Sequence, residues 1–195
     1  MTQLLLATNN RHKVEEIRHF LASLPYTVLS LADIPNGPIT IEDEPTLEGN
    51  ALKKGREAYN ASGMLSLADD TGLEVFYLTM KPGVLSARYA GEMATYQDNC
   101  DKLRLSMMGV PPRRRKAQFR TVIAIVGKGF ERTVEGRVEG IILEEPRGNQ
   151  GFGYDPLFVP AGFSKSYAEM STEEKNQLSH RALALTHAVK VLKQL

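Results

Sequence analysis

The chain opens on an unbroken apolar run, Leu4-Leu5-Leu6-Ala7, that stops at the turn-forming Thr8-Asn9-Asn10. A short, wholly apolar segment that ends in turn residues predicts a buried strand. Past the turn the spacing changes. Val14, Ile17, Leu21 and Leu24 recur at three- and four-residue steps, one face of a helix that Pro25 ends. A second helix is predicted over residues 46–61, with Thr46 placed as its N-cap and Gly63 past its end, although Gly55 weakens the pattern. Ser66-Leu67-Ala68 reads as a strand that stops at Asp69-Asp70-Thr71-Gly72. Residues 79–91 carry Pro82, Gly83 and Gly91 and predict a long loop into a helix over 95–108. Two β-rich segments, 118–126 and 131–138, flank Gly127-Lys128-Gly129, which is hairpin-turn chemistry, and residues 157–159 predict another strand. Ser171 and Glu174 have the capping-box spacing of a helix start. Ser179 can cap a last helix, whose apolar stripe is Leu185, Ala188, Val189, Leu192 and Leu195. Helices interspersed with strands, around a central hairpin, predict a mixed α/β protein in which parallel strands and an antiparallel arm share one sheet.

Composition narrows the class. A chain of 195 residues fits one compact domain or two small lobes sharing a cleft, and 42% hydrophobic with 24% charged residues excludes a disordered or disulfide-stapled chain. The longest aliphatic run, residues 122–126, falls far short of the roughly 20 residues of a membrane span. Met1-Thr2-Gln3 lacks a positive residue and the following apolar run is too brief for a signal peptide, so a cytosolic location with no membrane partner is expected. Cys100, the single cysteine, agrees with a reducing compartment. Lys and Arg number 24 against 23 Asp and Glu, so no global field draws the molecule to nucleic acid. The run Arg113-Arg114-Arg115-Lys116 reads as a solvated loop, with a local anion or nucleic-acid patch as the other reading.

Four segments carry candidate chemistry. Thr8-Asn9-Asn10 with Lys13 sets hydroxyl, amide and ammonium groups at a helix start, a phosphate cradle or an ordinary capped helix. Asp69-Asp70-Thr71 offers oxygen ligands to a hard cation or forms an acidic turn, and Glu42-Asp43-Glu44 is a further acidic cluster able to complete a magnesium site. Gly151-Phe152-Gly153-Tyr154-Asp155 frees its backbone for close approach to a ligand, with Phe152 as a surface on which a nucleobase can stack. Lys175, His180 and Arg181 bring donors to a helix junction where an oxo or phosphate group would be welcome. Each segment has an ordinary structural reading when taken alone.

Their order and spacing do not. Ala7-Thr8-Asn9-Asn10 with Lys13, Thr46-Leu47-Glu48-Gly49-Asn50-Ala51, Ala68-Asp69-Asp70-Thr71-Gly72-Leu73, Pro82-Gly83 with Ser86-Ala87-Arg88-Tyr89, Gly151-Phe152-Gly153-Tyr154-Asp155-Pro156 and Ser179-His180-Arg181 follow one another over essentially the whole chain. In this the chain resembles the inosine triphosphate pyrophosphatase (Ham1) family, departing from its usual pattern at Leu47 and Asn9. The resemblance implies an elongated mixed sheet flanked by helices, two lobes around a central cleft, residues 1–195 as one nucleotide pyrophosphatase domain, and a homodimer. It implies Mg2+-assisted attack of water on the α-phosphorus of purine nucleoside triphosphates such as ITP, dITP and XTP, releasing monophosphate and pyrophosphate. By the same resemblance Asp70 is the general base, and Glu42, or alternatively Glu44, joins Asp70 on the metal. Thr8, Asn10, Lys13 and Lys54 would serve the phosphates, while Phe152, Tyr154, Asp155, Lys175, His180 and Arg181 would surround the purine; Asn9, Thr71 and Gly153 would be further substrate-binding positions, and Arg88 a further candidate contact. Two rivals stand beside this reading: a Maf-like pyrophosphatase acting on modified nucleotides, and a non-catalytic nucleotide- or RNA-binding module using residues 113–116.

Overall fold

The computed structural model describes residues 2–195. In chain order the elements are β1 (Thr2–Leu6), α1 (Arg11–Leu21), β2 (Tyr26–Ser30), α2 (Leu47–Ser62), β3 (Leu65–Val75), β4 (Lys81–Pro82), α3 (Tyr96–Ser106), β5 (Lys116–Gly127), β6 (Phe130–Ile142), β7 (Phe158–Pro160), α4 (Thr172–Leu178) and α5 (His180–Leu192). Hydrogen-bonded strands follow the order β2-β1-β3-β5-β6-β7, with β4 also on β3. β1 pairs parallel with β2 and β3, whereas β4 on β3 and β7 on β6 are antiparallel, so the sheet is mixed as the pattern predicts.

Several expectations change. β3 does not stop at the acids but runs on to Val75, because Leu73 and Val75 bury completely beyond them. β2 went unpredicted: the Pro25 that ends the helical pattern stands directly before its β-prone Tyr26-Thr27-Val28. The loop over 79–91 contains β4 and a 3-10 turn at Gly83–Arg88. Leu195 lies outside the buried stripe of α5, at 60% exposure.

The chain divides into two compact units. One gathers the chain up to Asp70 together with Thr121–Gly136 and Ala182–Leu195; the other comprises Thr71–Arg120 and Arg137–Arg181. No linker marks these divisions in the sequence because they fall inside β3, β5, β6 and α5.

In the first unit the strand period of two sorts the helices. Leu4 and Leu6 of β1 join Val14, Ile17 and Leu21 of α1 and Leu185, Ala188 and Leu192 of α5 in one core cluster. Leu5 and Ala7 point the other way and pack with Ala58 of α2. The α2 face is small, with Ala51, Gly55 and Ala58 buried, and a Cβ on Gly55 would stand only 2.8 Å from Val126 Cγ2. Close approach of the helix is what this glycine permits.

In the second unit, Cys100, Leu103 and Met107 of α3 pack on an aromatic group of Phe119, Phe158 and Tyr167. Ring centroids there are 4.8 Å apart for Phe119–Phe158 and 5.1 Å for Phe158–Tyr167. Burial pushes the Cys100 thiol up to about 11, so it behaves as a small neutral apolar group.

The basic run is broken up by this packing. Arg114 lies 4.7 Å from the Tyr77 ring centroid, and Arg115 is 5% exposed. Arg115 Nε donates to the Ile142 carbonyl at 2.7 Å, Nη1 to those of Met107 and Val110 at 2.9 and 3.3 Å, and Nη2 to that of Leu143 at 2.8 Å. One guanidinium thus satisfies the carbonyls beyond α3 and those at the end of β6. Arg115→Met should remove the guanidinium donor from these carbonyls, of which that of Met107 still accepts from the Val110 N–H; each acceptor left bare is worth about 1 to 3 kcal/mol when buried, and the urea unfolding midpoint should fall accordingly. An unchanged midpoint would show that the carbonyls do not need Arg115.

Candidate functional site

Most of the predicted site residues collect in two clusters, one in each unit. In the first unit β3 carries Asp69 and Asp70 at 1% and 5% exposure, consecutive and therefore on opposite faces of the strand. Each face supplies a cation from a different helix. Lys13, in the first turn of α1, sets Nζ 3.0 Å from Asp69 Oδ2. Lys54 of α2 donates to Asp70 Oδ1 at 2.8 Å, to Glu42 Oε1 at 3.0 Å and to the Asp69 carbonyl at 2.7 Å.

Asn50, one turn earlier on α2, donates from Nδ2 to Asp70 Oδ2 at 3.4 Å. The same amide accepts from the Glu44 backbone N–H at 3.1 Å through Oδ1 and donates to the Glu44 carbonyl at 3.5 Å. Both oxygens of Asp70 are therefore held by one helix face. Burial raises the Asp70 carboxyl above its ordinary value; the Lys54 ammonium opposes this and the Glu42 carboxylate adds to it. Desolvation works against the Lys54 charge, but Asp70, Glu42 and Asp69 together overcome it and leave the ammonium raised.

The acidic loop is sorted by the same contacts. Glu42 joins Asp70 through Lys54, Asp43 pairs with Lys53 at 2.6 Å, and Glu44 is gripped through its backbone. Glu42 is thus the acid of that loop placed with Asp70. In the turn before α1, Thr8 Oγ1 accepts from the Asn10 N–H at 3.2 Å, and Asn10 Oδ1 caps the helix by accepting from the N–H groups of His12 and Lys13 at 3.1 and 3.3 Å. Asn9 is exposed between them.

In the second unit the glycine-rich loop closes on its own acid. Asp155 Oδ2 accepts from the Phe152 N–H at 2.8 Å and from Lys175 Nζ at 2.7 Å, with Asp155 and Lys175 at 3% and 6% exposure. The Phe152 ring has the Lys175 ammonium 4.9 Å and the Arg181 guanidinium 5.5 Å from its centroid. His180 stacks on Phe119 at 4.5 Å with a 12° interplanar angle. Arg181 Nη2 donates to Thr71 Oγ1 at 3.3 Å, and Thr71 is the residue after Asp70 along β3. Two candidates sit elsewhere. Tyr154 lies in the apolar core and donates its hydroxyl to the Ser86 carbonyl at 2.9 Å, while Arg88 pairs with Glu92 at 3.5 Å on its own loop.

Some members of these clusters were not singled out from the sequence. Asn50 carried a usable signal, since it stands four residues before Lys54 on a helix face that must meet the strand. Tyr167, fully buried with its ring 5.7 Å from Lys175 Nζ, carried none. Among the described residues no three His, Cys, Asp or Glu side chains gather as a ready metal cage.

A sequence profile described as the Ham1 family matches residues 4–191. A protein of Thermoanaerobacter sp. named dITP/XTP pyrophosphatase is 48% identical over 183 residues, covering 94% of this chain and 92% of its own. The structure of a HAM1 protein from Coxiella burnetii superposes with a TM-score of 0.92 at 34% identity, covering 100% of both chains. The Ham1 protein of Staphylococcus aureus gives a TM-score of 0.89 at 34% identity, covering 99% of each.

The glycine-rich loop yields a paired test. Gly151 and Gly153 both hold positive φ, +72° and +61°. A Cβ at Gly151 would also lie 2.1 Å from Asp155 Oδ2, whereas one at Gly153 meets nothing within 4 Å. Gly153→Ala should cost about 1 to 2 kcal/mol of conformational strain. Gly151→Ala should cost distinctly more in urea unfolding, because it also displaces Asp155 from Lys175. Equal costs would contradict that clamp.

Proposed function

The chain belongs to the Ham1 family, and from that premise we propose that it hydrolyses non-standard purine nucleoside triphosphates, ITP, dITP and XTP, to the monophosphate and pyrophosphate. The observation that carries this reading is the second-unit cluster, where the Phe152 ring stands beside the buried cations Lys175 and Arg181. A purine stacks on such a ring, and donors around it suit the 6-oxo group of hypoxanthine or xanthine better than the amino group of adenine. Asp155 holds Lys175 in place and, through the Phe152 N–H, the loop that bears the ring.

The first-unit cluster supports the hydrolytic half. In this reading Thr8, Asn10, Lys13 and Lys54 would meet phosphate oxygens, and Asp70 would orient and deprotonate the attacking water. The reading of Glu42 and Asp70 as holders of a divalent ion is supported by the ammonium within 3.0 Å of both carboxylates, since positive charge is favoured at that spot. Their hard oxygens match Mg2+, which when bound supplies neutralisation of the polyphosphate charge. Homodimerisation and a cytosolic location belong to the same reading. Phe76, Tyr77, Met80 and Leu85, near one another in sequence and each more than 40% exposed, are the apolar residues this reading assigns to contact with a second copy.

Initial rates of pyrophosphate release from ITP, XTP, GTP and ATP test the proposal. Activity on ITP should require Mg2+ and vanish with EDTA, and orthophosphate as the first product would place the attack at the γ-phosphorus instead. Asp70→Asn should lower kcat by about two to four orders of magnitude, the usual span for a general base. A variant with near wild-type kcat would remove Asp70 from that role.

Specificity makes a separate demand. Donors left facing an adenine amino group cost about 1 to 3 kcal/mol each, so two of them separate ITP from ATP by roughly a hundredfold or more. Arg181→Ala should lower kcat/KM for ITP far more than for ATP. Equal losses would make Arg181 a phosphate or packing residue.

A further inference from the structure

Lys54 holds the position where the proposed function needs a metal. Its ammonium has three N–H donors, and all are committed: Glu42 Oε1 at 3.0 Å, Asp70 Oδ1 at 2.8 Å and the Asp69 carbonyl at 2.7 Å. Its side chain is 9% exposed, so water screens these contacts little. Asp69 has its own cation in Lys13, and the remaining oxygen of Asp70 faces Asn50. The acids of this cluster are thus answered by the chain's own charges.

A free divalent cation arriving at Glu42 and Asp70 would meet an ammonium hydrogen-bonded to both. To take Glu42 Oε1 and Asp70 Oδ1 it would have to displace Lys54, and an anion that draws the ammonium away lowers that cost. The polyphosphate of a nucleotide is such an anion, and the lysine stem is flexible enough to turn toward it. We propose that Lys54 is a place-holder for the metal: it keeps Glu42 and Asp70 neutralised in the empty protein, excludes free divalent cations, and yields to a nucleotide that brings its metal with it. This rests on the proposed function for the identity of the anion, but the competition between Lys54 and a metal ion can be measured without it.

Mn2+ alone, followed by the loss of its free-ion electron paramagnetic resonance signal, is the probe. The wild-type protein should bind it weakly. Lys54→Gln, which keeps two N–H donors and removes the charge, should bind it at least about tenfold more tightly, a difference well resolved in such a titration. Adding Glu42→Gln to that variant should abolish the gain, locating the ion at the acid pair. Equal affinities for wild type and Lys54→Gln, or a gain that survives the second substitution, would overturn the proposal. Should Lys54→Gln fold poorly, its melting temperature against Mn2+ concentration provides the same comparison: a rise absent from wild type supports the place-holder, and an unmoved melt refutes it. Failure to release pyrophosphate from ITP would instead count against the proposed function, leaving the Mn2+ titration to decide the role of Lys54 by itself.

Discussion

Two carboxylates in the middle of a buried strand cannot stay ionised without cations beside them. Asp69 and Asp70 of β3 impose that requirement, and much of the first unit follows from it. Because adjacent strand residues face opposite ways, the two acids need cations from two sides, and Lys13 of α1 and Lys54 of α2 provide them. The same alternation in β1 sends Leu4 and Leu6 to the α1 cluster and Leu5 to the α2 cluster. Apolar burial brings each helix to its face of the sheet, and each helix delivers one lysine to the acid buried on that face.

The second unit meets a similar requirement on a smaller scale. Asp155 is buried against the Lys175 ammonium, and its second hydrogen bond closes the glycine-rich loop around Phe152. A buried pair of this kind adds little net stability, since desolvation offsets much of the attraction. Its contribution is geometric: the ammonium and the aromatic ring are held in fixed relation. Arg115 shows the alternative solution, a buried cation whose hydrogen bonds go to backbone carbonyls.

Much of this was legible in the sequence where local rules decide. Thr46 and Ser171 cap α2 and α4 as their spacing predicts, accepting from the N–H groups of Gly49 and Glu174. Periodicity located α1 and the buried face of α5. What failed were inferences about charge. Adjacent aspartates looked like a strand end because an exposed turn is the ordinary place for them, and nothing nearby in sequence announces that Lys13 and Lys54 will neutralise them. Arg115 looked solvated for the same reason, its carbonyl partners at Ile142 and Leu143 lying more than twenty residues away. The gathering of site residues was legible through the family resemblance, whereas the commitment of Tyr154 to the core and the grip of Asn50 on Asp70 depend on contacts distant along the chain.

Gly55 interrupts the helical pattern of α2, yet it lets that helix lie close against Val126 and Ala124 of β5. Lys54 is its immediate neighbour, so the thickness of this seam sets how far the lysine must extend to touch Asp70. The seam works as a gauge. Bulk added at position 55, 124 or 126 would lift the helix and lengthen a contact in which none of those residues takes part. Apolar positions with no chemistry of their own thereby acquire control over the charge balance of the acids, through the reach of one side chain.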